Sequence, residues 1–529
     1  MSRSANAIGA LQRDAVVSSV SASGSQRREE EETLLDKVLE RHVVDPKARR
    51  LVSHRGRNKL ILYAVLLVII LLIAGLVLFT ILAKTRDTVQ VDAAWGSYRG
   101  SQELVEGGLE CYSFLGIPFG NATGGALRFQ RPQKAGHWMH QTASGSAPCL
   151  QQPVRLGNFS VLDAAEQGSE DCLRLNLWTP SITAKDLSVL LFLHGFQFYY
   201  GSNSQDSLRG ELLSALGNLV VVVPNYRLGP LGFLSANASE APGNLALYDQ
   251  RLALDWTREN VRYFGGDPSR LVLHGYEAGA VSVGYHLLSP LDHWVKSVRS
   301  ALSWARAAFP SQLLPDAIHS KDVLLGTVSG EGVVLAELYV SRSRINLSEL
   351  LSAYGVLDAP QLVALYASQW DNRTGTLALA KQILGDVLFS CPVQYLAEQL
   401  SSSNNRVHNY VFVHKPSFSA WADPQAAQYE DLDFVFGVPL RRGLGTPEEQ
   451  ALSRRLIQLV AAFAKDGQVL VHCWRSRDRA LPRLREGGEW PEFHGLDNDT
   501  VEITLNGFSL ASVASRAEQC RQIRPHLIY

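Results

Sequence analysis

His274-Gly275-Tyr276-Glu277-Ala278-Gly279-Ala280 stands between a short apolar run, Arg270-Leu271-Val272-Leu273, and Val281 to Leu288, whose composition suits a helix. Strand, tight turn and helix in that order are the setting of the G-x-S-x-G elbow. There, small residues let the turn tighten until a serine hydroxyl stands exposed above a sheet. Gly275 and Gly279 are in place, and the middle position is Glu277. A pentapeptide is a weak signal by itself, so the surrounding chain decides how it is read.

Upstream stand Leu115-Gly116-Ile117-Pro118-Phe119, Leu127-Arg128-Phe129, Ser169-Glu170-Asp171-Cys172-Leu173-Arg174-Leu175-Asn176-Leu177-Trp178, Asn225-Tyr226-Arg227-Leu228-Gly229 and Gly265-Gly266-Asp267-Pro268. In these residues and in their order the chain resembles the cholinesterase and carboxylesterase-like (type-B) family, from about Thr88 to Ile523. The resemblance implies an α/β-hydrolase fold: a mostly parallel central sheet with helices on both faces. It implies one large domain over residues 88–529, although the chain's length alone would allow several.

A chain that is 46% hydrophobic and 9% aromatic can bury a sizeable core. The formal net charge of −1 hides an asymmetry: residues 1–59 carry 12 Lys/Arg against 8 Asp/Glu, the rest 38 against 43. Neither half has the basic excess of a nucleic-acid binder, and nothing in the sequence calls for a cofactor or a metal. Leu60 to Ala83 is an uncharged run of 24 residues, long enough at about 1.5 Å per residue to cross the roughly 30 Å bilayer core. We read it as a transmembrane helix; a signal-peptide core is shorter and lies nearer the start. Lys47, Arg49, Arg50, Arg55, Arg57 and Lys59 precede the run, and only Lys84 and Arg86 follow closely. The positive-inside rule then places residues 1–59 in the cytoplasm and, beyond a short linker at 84–87, the large domain outside: a type II plasma-membrane arrangement.

Residues 1–59 read as a disordered tail, Ser-rich and then mixed in charge, with at most a fraying helix from Thr33 to His42. Six Asn-x-Ser/Thr acceptors, at Asn121, Asn158, Asn237, Asn346, Asn372 and Asn498, all follow the apolar run. That one-sidedness suits an extracellular face. All six cysteines follow it too, as in an oxidising compartment. Spacing cannot pair them, but the resemblance implies Cys149–Cys172 and Cys391–Cys520. Cys111 and Cys473 are left to bond each other, bridge two chains or stay buried as thiols, and burial is the expected state.

Acyl transfer on this fold needs a nucleophile, a base, an acid to orient the base, and N–H groups for the oxyanion. By the resemblance the nucleophile position is Glu277 and the acid position Glu331, in Ser329-Gly330-Glu331-Gly332. The base position, six residues before Phe434-Val435-Phe436-Gly437, is Gln428, whose amide is no base near neutral pH. The glycine-rich oxyanion loop reads His194-Gly195-Phe196-Gln197-Phe198. With glycines replaced at Phe196 and Gln197, the inward-turning backbone is expected to be lost. Glu277 could in principle attack as a carboxylate, but no histidine is placed to activate the water that must release the product.

The expectation is a catalytically inactive member of the family, with a neurotactin-like type II topology, that acts at the cell surface in adhesion or recognition of an extracellular protein. A homodimer through helices near Thr376–Phe389 and Val513–Gln522 is possible by family analogy. Rival readings are a hydrolase with unconventional residual chemistry, a small-molecule binder using the old gorge, and a secretory-pathway folding or trafficking domain.

Overall fold

The computed structural model describes residues 63–75, 88–141, 145–152, 155–156, 159–160, 168–289, 299–303, 318, 320–342, 344–369, 375–467, 490–495, 499–511 and 514–526. They fall into two units, Met1–Thr85 and Arg86–Tyr529. In the first, Tyr63–Gly75 is an apolar helix, with large side chains such as Leu72 and Leu71 exposed. The rest of Leu60 to Ala83 and the tail, with its Thr33–His42 segment, lie outside the described residues.

The second unit is built on one sheet. Its strands are β1 (Thr88–Ala93), β2 (Gly96–Val105), β3 (Leu109–Pro118), β4 (Arg174–Thr179), β5 (Leu187–Leu193), β6 (Val220–Pro224), β7 (Gly266–Tyr276), β8 (Arg299–Ser303), β9 (Asp322–Val328), β10 (Arg406–Phe412), β11 (Thr500–Thr504) and β12 (Gly507–Leu510). They lie in the order β1-β2-β3-β4-β6-β5-β7-β8-β9-β10-β11-β12, with Trp138–Gln141 beside β2. Pairing is parallel from β6 through β11 and antiparallel in the meander that precedes and the hairpin that follows. This is the mostly parallel sheet that the resemblance implies.

Sequence explains the burial. β5 reads Leu-Ser-Val-Leu-Leu-Phe-Leu and β6 Val-Val-Val-Val-Pro, buried throughout, the near-continuous apolar pattern of strands covered on both faces. Successive residues then serve opposite layers. Val189, Leu191 and Leu193 join one core cluster with Trp256, Val283 and Leu287, whereas Leu190 and Phe192 join another with Leu456, Val460 and Phe463. Helices Leu245–Asn260 and Ala278–Leu288 therefore cover one face and helix Pro447–Asp466 the other.

Cys149–Cys172 and Cys391–Cys520 are both closed. Cys111 is a buried free thiol, pushed well above its usual range by burial and then by Glu103 and Glu211; Cys473 lies outside the described residues. The Asn225–Gly229 signature is explained by Arg227, whose guanidinium grips Asp249 at 2.8 and 2.7 Å with both side chains buried. The expected helix Thr376–Phe389 is present as the first part of a longer one, Gly375–Ser402. A π-turn at Asp386–Ser390 divides it, where Asp386 accepts hydrogen bonds from Tyr366 and Gln382. The last helix is Ala514–Ile523.

Candidate functional site

Strand order sets the location. From β5 the chain turns to β6 on one side and then crosses to β7 on the other, so the loops leaving the C-terminal ends of β5 and β7 face each other, where ligands bind in open α/β sheets. The first loop is residues 194–205 and the second is the single residue Glu277 before helix Ala278–Leu288. Glycine allows them to meet: a Cβ on Gly279 would overlap the carbonyl of Leu193, and one on Gly195 the carbonyl of Tyr276.

Glu277 sits at φ 53°, ψ −117°, buried at 6% exposure. This is backbone that a residue with a side chain adopts at a cost of order 1–3 kcal/mol. Its Oε2 accepts hydrogen bonds from the backbone N–H of Gln197 at 2.5 Å and of Ala278 at 2.6 Å. One donor comes from the β5 loop and one from the first turn of the elbow helix. They converge as oxyanion donors must, and the carboxylate of the nucleophile position fills the space between them.

The loop therefore differs from expectation. Gln197 at φ 55° and Phe198 at φ 61° take the left-handed conformation without glycine. Neighbouring tyrosines hold the segment: Tyr339 donates to Gln197 Oε1 at 2.9 Å, Tyr429 donates to the Gly195 carbonyl at 3.0 Å, and Tyr226 donates to the His194 carbonyl. Phe196 stacks on Tyr429, centroids 5.4 Å apart and planes 14° apart. The inward-turning N–H of Gln197 survives the loss of glycine because tertiary contacts pin it. Tyr226, Tyr339 and Tyr429 carry no sequence signal of this task; Tyr276, whose hydroxyl accepts from the Tyr429 N–H at 2.7 Å, could have been suspected from its place in the elbow.

Glu331 and Gln428 are brought into the same region by a parallel bridge between Gly330 and Ala427. Glu331, 2% exposed, accepts the Val328 N–H on Oε1 at 2.8 Å. Gln428 is buried, and the next residue, Tyr429, has φ 74°. Burial pushes Tyr429 well above the usual tyrosine range, with Glu277 and Glu331 adding to it. The histidines near the site are structural: burial drives His194 down to about 3 and His274 to about 4. His194 stacks on Tyr226 and His274 sets its edge on Phe192. Among the described residues no group of His, Cys, Asp and Glu could hold a metal ion. Asn121, Asn237 and Asn346 are exposed, while Asn158, Asn372 and Asn498 lie outside the described residues.

Similarity to known proteins accords with this geometry. The profile of the Carboxylesterase family matches residues 87–305 and 307–522. The acetylcholinesterase of Bungarus fasciatus is 30% identical over 82% of this chain and 85% of its own length. Acetylcholinesterase-1 of Trittame loki is 27% identical over 82% and 93%, and the acetylcholinesterase of Danio rerio 28% over 80% and 86%. With the sheet, the elbow and both disulfides in place, the chain belongs to the carboxylesterase family.

Proposed function

We propose that this chain is a catalytically inactive, cholinesterase-like cell-surface glycoprotein of type II topology, whose large domain acts in adhesion or recognition of an extracellular protein. The observation that carries the loss of activity is the Glu277 carboxylate seated on the Gln197 and Ala278 N–H groups. An ester carbonyl would need those same donors, and the Glu277 side chain is bonded to both of them. The base position adds a second obstacle, since Gln428 takes no proton near neutral pH. Losing one member of a triad already costs orders of magnitude, and what remains in damaged triads comes largely from the oxyanion donors. Here those donors are engaged.

Adhesion or recognition follows from lost chemistry on a domain that bears exposed acceptor sequons at Asn121, Asn237 and Asn346 behind an apolar anchor. The purified full-length protein in detergent should hydrolyse a broad panel of acyl esters at the buffer rate, with Glu277→Ala and Glu331→Ala no different. Turnover that either substitution abolishes would overturn the inactive reading. Cells expressing the chain should aggregate with, or capture, cells bearing a protein partner; a chain retained inside cells, inaccessible to surface biotinylation, would contradict a surface role.

A further inference from the structure

Asn506-Gly507 is the one Asn-Gly pair in the 529 residues. It closes the hairpin between β11 and β12, where Thr504 pairs with Gly507 and residues 505 and 506 form the turn, a common place for such a pair. Asn506 is exposed, and its amide makes no hydrogen bond among the described residues. Gly507 stands at φ 126°, backbone that glycine adopts without strain. β12 is four residues long and ends the strand order, so β11 is its one neighbour among the described strands. Short elements at an edge open locally at little cost.

Arg455 reaches this turn from helix Pro447–Asp466. Its Nη2 donates to the Leu505 carbonyl at 3.0 Å, and its Nη1 lies 3.6 Å from where a Cβ on Gly507 would stand. Apart from the flanking residues, no other described atom comes within 4 Å of that point. The preceding Arg454 is paired with Glu106, but Arg455 has no ion pair among the described residues. It is half-buried, and burial pulls it below the usual arginine value with no carboxylate to oppose that. A guanidinium stays charged all the same, so any negative charge that forms beside it is favoured.

The two features meet in one reaction. In mildly basic water the Gly507 backbone N–H loses its proton, and the nitrogen attacks Cγ of Asn506. A new N–Cγ bond forms, the side-chain amide C–N bond breaks, and the amide nitrogen takes a proton from water and leaves as ammonia. The product is a five-membered succinimide. Water then opens one of its two carbonyl–nitrogen bonds, giving aspartate from one and isoaspartate from the other. The sum is asparagine plus water to an aspartyl residue plus ammonia. Negative charge develops on the Gly507 nitrogen, then on the oxygen at Cγ, and ends as a permanent carboxylate. A cation held at the turn stabilises each in succession.

We propose that Asn506 is a site of spontaneous deamidation through a succinimide with Gly507, promoted by the Arg455 guanidinium, which then pairs with the carboxylate formed. Each modified chain gains one negative charge at the hairpin, so the charge of the population records its age. The site stands independently of the adhesion reading, since it uses neither the elbow nor a protein partner.

The test is peptide mapping by mass spectrometry of the full-length protein in detergent, held in mildly basic buffer and sampled over time. The hairpin peptide is expected to gain the mass of NH2 exchanged for OH and to split into aspartyl and isoaspartyl forms, while Asn506→Gln keeps its mass. Arg455→Met should slow the conversion about tenfold or more, because a nearby opposite charge shifts an ionisation by a pK unit or more. Arg455→Lys, which keeps the charge, should retain most of the rate, with melting curves reporting that each variant is folded. In denaturing urea the helix no longer holds residue 455 at the turn, and wild type and Arg455→Met should react equally fast. A hairpin peptide that changes mass in urea but not in the folded protein would overturn the site. Equal rates for the folded wild type and Arg455→Met, or a faster variant, would overturn the part given to Arg455.

Discussion

Glu277 takes both N–H donors at the elbow while the turn keeps its architecture. A serine at this apex presents a hydroxyl to the substrate. A glutamate at φ 53° reaches back, and its carboxylate takes the Gln197 and Ala278 N–H groups. Two short hydrogen bonds help offset the backbone strain. The donors themselves are in place, so under the inactive reading proposed above, supplying a serine and a histidine should give some catalysis. Glu277→Ser combined with Gln428→His is expected to hydrolyse p-nitrophenyl acetate about 10²-fold or more faster than Glu277→Ser alone, the range general-base catalysis supplies. A double variant no faster than either single one would mean that the loop cannot accept a substrate oxygen. Glu277 and Gln428 were read by resemblance, and the structure sets Glu277 at the apex of the elbow. Sequence misjudged the loop, because Tyr339 holds the Gln197 side chain and Tyr429 the Gly195 carbonyl, from segments more than a hundred residues away, and no local pattern encodes that.

Among elements, strands were legible where both faces are buried, since β5 and β6 are nearly unbroken apolar runs. Boundaries were not. β7 runs from Gly266, four residues before the apolar segment that marks it, because its start pairs with Leu187 across a register shift. Helix Pro447–Asp466 has the clearest local signals: a capping box between Thr446 and Glu449, proline at its first position, and Gly467 at φ 66° after its end. Glu449 is 1% exposed and also accepts from the Ser417 N–H at 2.6 Å and pairs with His414 at 2.9 Å. Thr446→Ala removes one bond to an orphan N–H and should cost about 1 kcal/mol. Glu449→Ala strips the cap, Ser417 and His414 together and should cost clearly more. Thermal or denaturant unfolding of the two variants would show it, and equal losses would mean that the carboxylate serves the cap alone.

At the scale of the whole molecule, two apolar helices compete for the role of membrane span. Gly375–Ser402 is long and apolar enough, yet 67% of its most apolar window is buried inside the large domain, and Cys391 ties it to Cys520. Withdrawing it into lipid would strip that core, so its apolarity is explained by the fold. The other is Tyr63–Gly75, the described part of the apolar run from Leu60 to Ala83, which keeps its apolar side chains exposed, and the basic cluster before that run argues for a cytoplasmic tail. An epitope tag at residue 1 should then stain only permeabilised cells, while a C-terminal tag stains intact ones. Glycan removal should lower the apparent mass, and Asn→Gln at Asn121, Asn237 and Asn346, all exposed, should remove part of that shift. Moving the charge should move the chain: neutralising Lys47, Arg49, Arg50, Arg55, Arg57 and Lys59 while adding lysines after Ala83 is expected to invert a fraction of molecules and leave that fraction without glycans. Staining of the amino-terminal tag on intact wild-type cells would overturn the topology, and with it the surface placement on which the adhesion reading depends.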